Sequence, residues 1–441
     1  MEPIFHDTIF ALSSGRLPSG VAVIRLSGSE TRFVVETISE TAPEPRRASY
    51  RPFYSQQREL LDRGLLLYFP GPYSFTGEDC AEFHLHGGSA VVDRFLMELS
   101  SFKNCRIAEP GEFTRRAFAN GKMDLTVAEG LADLIAAETE SQRRLALQAA
   151  TGAQRDLYMG WRQELLQARA LIEAELDFAD ESDVPDSVAD QIWQTLDVLA
   201  EKIDRHLTDG KRGSIFRDGL HVAIVGAPNA GKSSLLNQLA GRDVAIISEE
   251  AGTTRDLLEV KLDLGGIPVF VTDTAGLRET EGAVEKIGIE RARLRAATAD
   301  LVLLLEDINQ TEPVDLPELK GELWRVGNKS DLTDAHDIGE WAYRISARSG
   351  EGLDELIAAI SHFAQVKAGD ISVVIPSRRR HIDLLGITRT EIMEAVHGKH
   401  LPPELRAENL RRATQALGRI TGDVDVEDIL DVIFSQFCIG K

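Results

Sequence analysis

The 441-residue sequence predicts a multidomain α/β and α+β protein, and three changes of texture predict it. Short apolar stretches separated by Gly, Pro and aromatic residues fill the first 119 positions. Long helical periodicity sets in at Asp124 and returns from Ser377. Between these, from His221, apolar strands alternate with helices around a glycine-rich loop. Alternating strands and helices are the signature of a parallel sheet, and short strands between turn residues that of an α+β or mostly β domain.

Taken in order, residues 1–119 form the front α+β domain, with VAVIRL (21–26) and LLLYF (65–69) as its clearest strands. Residues 120–214 are the first part of a helical domain, where LTVAEGLADLIAAETESQRRLALQAA opens a run with few breakers until Gly210. Residues 215–372 are an inserted α/β domain closing on the helix LDELIAAISHFA. Residues 373–441 are the second part of the helical domain, ending FSQFCIGK. The helices on either side of the insertion then pack together, an arrangement tolerated because domain termini often lie close in space.

With 49 Lys+Arg against 71 Asp+Glu the net charge is 49 − 71 = −22. A protein gripping nucleic acid by its overall field would be basic. The charge is uneven, however: residues 171–201 hold ten acids and no Lys or Arg, whereas Arg115-Arg116, Arg143-Arg144, Arg378-Arg379-Arg380 and Arg411-Arg412 form local basic groups. These are either solvated helix faces or a nucleic-acid-facing surface. Cys80, Cys105 and Cys438 have no CxxC or Cys/His spacing, which argues against a disulfide framework or structural zinc. The start MEPIFHDT lacks a basic n-region and no apolar run approaches the ~20 residues of a membrane span. A reducing, cytoplasmic location without membrane contact is expected.

The strand HVAIVG leads into Gly226-Ala-Pro-Asn-Ala-Gly231-Lys232-Ser233, a G-x-x-x-x-G-K-[ST] phosphate loop followed by the helical run SLLNQLAG. Its backbone amides, with Asn229, Ala230, Gly231 and Ser234 in the loop and first turn, surround phosphates. Lys232 pairs with the β- and γ-phosphates and Ser233 ligates magnesium. Asp273-Thr274-Ala275-Gly276 follows the strand PVFVTDT, with Asp273 reaching magnesium through water and the Gly276 amide meeting the γ-phosphate. Gly252-Thr253-Thr254-Arg255-Asp256 lies in a polar loop before LLEVKLDL, with Thr254 as a second magnesium ligand. Asn328-Lys329-Ser330-Asp331 follows ELWRVG. The Asp331 carboxylate matches the N1–H and 2-amino donors of guanine, a pair that adenine lacks. Ser346-Ala347-Arg348 after YRI completes the ring pocket. Five motifs in this order predict a Ras-like P-loop domain binding GTP or GDP with Mg2+.

Leu277 stands where Ras-like enzymes place the glutamine that orients water. Either hydrolysis is very slow, or another residue and another positive charge do the work, since an arginine finger normally supplies roughly 10³ to 10⁵ in rate. Asn229 either ligates a monovalent cation beside the leaving phosphates or merely stabilises the loop turn. His84 and His86, at i and i+2 beside Gly87-Gly88, read as a strand end and turn rather than a metal pair.

The sequence resembles the MnmE (TrmE) family of tRNA modification GTPases over essentially its whole length. The resemblance is carried by GAPNAGKSSLLN, EEAGTTRD, DTAGLRET with VEKIGIERA, NKSD, SARSGEG, SFTGEDCAEFHLHGG, AEPGEFTRRAFANGKMDLTVAEGLADLI and the ending FCIGK. It implies a homodimerising, folate-binding front domain and a discontinuous helical domain. It also implies hydrolysis stimulated by K+, held by Asn229, Ser248, Glu250 and Thr253, with Ser248, Glu249, Glu250, Ala251, Gly252, Thr253 and Thr254 around the nucleotide and Glu285 orienting water. Folate carry-over falls on Arg25, Glu82, Lys122 and Lys441. Glu250 departs from the usual apolar residue, and Gly282 shortens a charged stretch after DTAG.

The family implies an aminomethyl or carboxymethylaminomethyl group added to C5 of the wobble uridine of certain tRNAs. A tetrahydrofolate derivative donates the one-carbon unit and a flavoprotein of MnmG (GidA) type is the partner. Two other readings are an Era-like ribosome-assembly switch, which needs an RNA-binding module that is not evident in the sequence, and a stand-alone folate transferase with a regulatory nucleotide domain. Cys438, two residues from the glycine of FCIGK, is either reactive or an inert small hydrophobe.

Overall fold

The computed structural model describes residues 5–177, 186–246, 259–273, 293–310, 313–332, 340–369, 374–424, 427–435, 437 and 439–440. The chain divides into two compact units. One holds Met1–Ala132, Ala149–Leu171 and Arg411–Lys441; the other holds Asp133–Gln148 and Ile172–Leu410.

In the first unit a six-stranded sheet has the order β3-β4-β5-β2-β1-β6, with β1 Thr8–Leu12, β2 Ser19–Ser27, β3 Ser49–Tyr54, β4 Leu60–Phe69, β5 Cys80–Gly87 and β6 Cys105–Ile107. All its pairs are antiparallel except β1 with β6. Helices α1 (Thr31–Ser39) and α2 (Ser89–Ser100) supply Val34, Val35, Ile38, Phe95 and Leu99 to a core that includes Phe10, Ile24, Leu26, Phe53, Leu66 and Phe83. Two-residue alternation does the sorting. Along β5, Ala81, Phe83 and Leu85 are buried in this core while Glu82 and His84 are half-buried and His86 is exposed.

Helix α3 (Glu112–Ala119) carries Arg116, whose side chain is fully buried. A guanidinium out of water is tolerated only when paired. Arg116 donates to Asp7 Oδ1 at 2.7 Å, Glu112 Oε1 at 3.1 Å and Glu78 Oε1 at 3.2 Å. Burial pushes the Asp7 carboxyl up, but Arg116 and Arg106 outweigh it and hold the group below its ordinary range. Arg116 is thus neither a solvated helix face nor a nucleic-acid contact. The chain ending also closes on this unit: Ile439 bridges Pro110 and Ser13 Oγ donates to Gly440 O at 2.9 Å.

In the second unit the sheet order is β12-β11-β10-β7-β9-β8, with β7 Leu220–Val225, β8 Glu259–Leu264, β9 Ile267–Asp273, β10 Leu301–Asp307, β11 Glu322–Asn328 and β12 Tyr343–Arg344. Only β8 runs antiparallel, to β9. Gly265 and Gly266 between them have φ of 68° and 88°, the left-handed pair that a two-residue hairpin turn requires. Central strands covered on both faces read as continuous apolar runs, and Leu301–Leu305 are all buried. The order reverses at β7, whose two neighbours β9 and β10 both follow it in sequence. Such a switch point opens a crevice at the strand C-termini, where sheets of this kind hold ligands.

Helix α7 (Asp186–Asp218) runs straight through Gly210 and on towards β7. Gly210 does not end it. The glycines there serve close approach instead: a Cβ at Gly213 would stand 2.4 Å from Pro376 O, and one at Gly210 3.1 Å from Pro376 Cγ. The chain leaving the α/β sheet therefore crosses the helix that enters it. Helix α10 (Arg379–His397) then runs against α7, with Arg389 Nε 2.7 Å from Asp204 Oδ1. Asp133 Oδ1 accepts from Arg217 Nε at 3.3 Å, at the end of α7, and from Arg378 Nη2 at 2.7 Å, at the start of α10.

Gly213→Ala is expected to lower stability by about 1–3 kcal/mol through overpacking at this crossing. Gly160→Ala, at a helical position with nothing within 4 Å of the added Cβ, is expected to raise it by about 0.5–1 kcal/mol. Thermal unfolding of the two variants checks both signs.

Candidate functional site

Between β7 and helix α8 (Lys232–Ala240) the loop 226–231 is fixed by glycines that cannot be replaced. A Cβ at Gly226 would stand 2.2 Å from Leu305 O. Gly231 has φ 100°, and its Cβ would stand 2.2 Å from Asn328 Nδ2. Asn229 is also left-handed, at φ 62°, a conformation that asparagine tolerates better than most residues. The loop amides and the start of α8 form an anion-binding concavity.

Lys232 is buried, and its Nζ donates to Gly226 O and Ala227 O, both at 2.7 Å. Burial pulls its pKa down, partly countered by Asp273. An ammonium short of water is a strong partner for phosphate oxygen. Ser233 Oγ donates to Asp273 Oδ2 at 2.8 Å, which brings together from α8 and β9 the two oxygens expected to share a magnesium ion. Hard oxygen donors of this kind suit Mg2+. Ser234 is exposed in the same first turn.

The guanine motifs converge on the same loop. Asn328 is 2% exposed; its Nδ2 donates to Ala230 O at 2.7 Å and its Oδ1 accepts from Ala347 N at 2.9 Å. Ser346 Oγ donates to Asp331 Oδ1 at 2.7 Å, tying the acidic residue to the following loop, and Arg348 is exposed beside it. Lys329 is left-handed at φ 68°, with Nζ 2.7 Å from Asp307 Oδ2. A cavity of 240 Å³ is lined by Ala227, Pro228, Asn229, Ala230, Glu306, Asp307, Gln310 and Lys329, among others.

The acids at the end of β10 are absent from the motif reading. Glu306 accepts from Arg325 Nε and Nη2 at 3.0 Å each and from Trp341 Nε1 at 3.0 Å, bracing β10 against β11 and the chain before β12. An acidic pair directly after LVLLL, next to a nucleotide motif, is the signal that could have found them. Ser248, Glu249, Glu250, Ala251, Gly252, Thr253, Thr254, Thr274, Ala275, Gly276, Glu285, Cys438 and Lys441 lie outside the described residues.

In the first unit Arg25 and Glu82 pair across β2 and β5, with Arg25 Nε and Nη2 at 3.2 and 3.0 Å from Glu82 Oε1. The Arg25 guanidinium also lies 5.3 Å from the Phe75 ring centre and 5.8 Å from that of Phe113. His84 Nε2 stands 3.7 Å from Glu82 Oε2, a buried atom without a hydrogen-bond partner among the described residues. Both histidines lie in β5 and each faces a carboxylate, His86 Nδ1 being 2.8 Å from Asp62 Oδ1. Lys122 Nζ donates to Pro72 O at 2.8 Å, in the same 71–78 loop that carries Phe75. A carboxylate, two cations, aromatic rings and an orphaned imidazole nitrogen fit the donors, the ring and the anionic tail of a pterin-type ligand.

The model of the MnmE helical domain matches residues 125–438, and that of the GTP-binding protein TrmE N-terminus matches residues 8–122. The tRNA modification GTPase MnmE of Brucella anthropi is 68% identical over 436 residues, which cover 99% of this chain and 98% of that protein. The tRNA modification GTPase MnmE of Brucella ovis is 67% identical over 437 residues, 99% of each chain. Among solved structures, Aquifex aeolicus Era bound to GDP and aluminium fluoride is 26% identical, at a TM-score of 0.27 over 39% of this chain and 66% of its own. Two matching domain models and relatives two-thirds identical from end to end lead to one conclusion: the chain belongs to the MnmE (TrmE) family of tRNA modification GTPases.

Proposed function

We propose that this chain is a potassium-stimulated GTP hydrolase that works with a flavoprotein partner of MnmG (GidA) type. Together they add an aminomethyl or carboxymethylaminomethyl group to C5 of the wobble uridine of certain tRNAs, using a tetrahydrofolate derivative as one-carbon donor. Membership of the family makes the chain a tRNA modification GTPase. Support for the nucleotide role comes above all from the convergence of the phosphate loop, Asp273 and Asn328 at one end of the second sheet. The chain acts as a homodimer in the cytoplasm; among the described residues no helix is long and apolar enough to cross a membrane. The working division is a front domain at 1–119, a G domain at 215–372, and a helical domain built from 120–214 and 373–441.

In hydrolysis, Lys232 and the loop amides hold the β- and γ-phosphates, while Ser233, Thr254 and Asp273 would hold magnesium, which when bound offsets phosphate charge. Asp331 reads the guanine donors, and Ser346, Ala347 and Arg348 close around the ring. Asn229, Ser248, Glu250 and Thr253 would hold K+, which when bound supplies positive charge beside the leaving group in place of an arginine finger. Glu285 orients the attacking water, the task that Leu277 cannot perform. In the front domain Glu82 takes the pterin N–H donors, while Arg25, Lys122 and Lys441 take the carbonyl and glutamyl oxygens.

Purified protein is expected to hydrolyse GTP faster in KCl than in NaCl. Glu285→Ala is expected to lower the rate by about 10²-fold or more; equal rates in the two salts, or an unchanged variant, overturn the cation-assisted mechanism. Glu82→Gln is expected to weaken tetrahydrofolate binding by about tenfold, read by calorimetry, through loss of a charged acceptor. Deletion of the gene is expected to remove C5-substituted wobble uridines from hydrolysed tRNA. An intact nucleoside profile together with co-purification on ribosomal particles would replace this reading by the ribosome-assembly one.

A further inference from the structure

We infer that Asp307 is a positioning residue for the nucleotide base: it anchors Lys329 so that the lysine stem forms one wall of the base pocket. The inference rests on the guanine-nucleotide reading of this site and adds a residue outside all of its motifs. Lys329 leaves the backbone from a left-handed position, φ 68°, which fixes its direction. Its four-carbon stem would still sample many rotamers, and ordering it costs up to about 2 kcal/mol. The Asp307 carboxylate opposes that freedom. Oδ2 takes Lys329 Nζ at 2.7 Å, and Oδ1 takes Asn309 N at 2.9 Å.

The carboxylate itself is well fixed. In the β10–β11 register Asp307 lies opposite Asn328, and Ile308 N donates to Asn328 O at 3.1 Å. The acid and the guanine motif therefore belong to one rigid ladder. Glu306, one residue earlier, is held by Arg325 and Trp341 and braces the same strand end. Asp307 and Lys329 both line the 240 Å³ cavity together with the phosphate-loop residues 227–230. Burial pushes the Asp307 carboxyl up, but Lys329 and the Asn309 amide outweigh it, so the group stays charged at neutral pH.

The bland counterpart is a partly exposed ion pair, a type worth roughly 0–1 kcal/mol and without consequence for the ligand. A double-mutant cycle in the full-length protein separates the two. The probe is fluorescently labelled GDP and the readout its dissociation rate, with the unfolding temperature measured alongside. Asp307→Ala and Lys329→Ala are each expected to speed release by about tenfold, the size of a lost charge-assisted hydrogen bond. The double variant is expected to release no faster than Lys329→Ala alone. Asp307→Asn, which keeps an acceptor oxygen, is expected to fall between wild type and Asp307→Ala and remains usable should the alanine variant not fold. Release unchanged in Asp307→Ala, or in Asp307→Asn should the alanine variant not fold, overturns the inference. So do fully additive effects in the double variant, and so does faster release in the Lys329→Ala background. Failure of the wild-type chain to bind labelled GDP at all would instead overturn the guanine-nucleotide reading.

Discussion

One buried amide holds the nucleotide site together. Asn328 spends its Nδ2–H on the phosphate loop at Ala230 and its Oδ1 on the backbone of Ala347, so three segments far apart in sequence share a single side chain. An amide is the group for this task because it is donor and acceptor at once and carries no charge into a site built for anions. Gly231 follows from it, since any Cβ there would strike the Asn328 amide. The left-handed Lys329 comes next, then the tie from Ser346 to Asp331. Remove the amide, and a buried carbonyl and a buried N–H are left unpaired, at about 1–3 kcal/mol each.

The second organising constraint is electrostatic. A chain with 71 acids against 49 strong bases commits several arginines to ion pairs with its own acids. Arg116 is sealed among Asp7, Glu78 and Glu112; Arg217 and Arg378 meet on Asp133; Arg325 locks onto Glu306. Each joins segments that are remote in the chain, which apolar contacts do with less directional demand. These clusters tie up four arginines and five acids, which leaves the remaining surface about as acidic as the composition suggests, and any grip on tRNA phosphates must come from restricted patches or from a partner.

Much of this was legible in the sequence where the backbone itself does the recognition. The phosphate loop tolerates only residues that permit φ > 0 or close approach, so Gly226, Gly231 and Asn229 announce it. Strands buried on both faces announce themselves as LVLLL. Legibility fails where a role depends on a partner that only folding supplies. Asp307 reads as a solvated acid until Lys329, twenty-two residues on, is seen beside it. Arg25 and Glu82 stood out only through family resemblance, because their pairing is set by the register of β2 and β5, fifty-seven residues apart. Gly210 looked like a helix stop. It is a crossing point, and nothing local distinguishes a glycine that breaks a helix from one that admits another chain segment.

The crossing of Gly213 by Pro376 has a consequence during synthesis. Helix α7 is translated well before the segment that packs on it, some 160 residues later. At about 5–20 residues per second that partner emerges roughly 8–30 s afterwards. The α/β sheet, contiguous in sequence, is complete by then. The nascent chain thus holds the Gly210–Gly213 face of the helix uncovered while a finished nucleotide domain forms downstream of it, and the crossing is sealed last, by the returning segment.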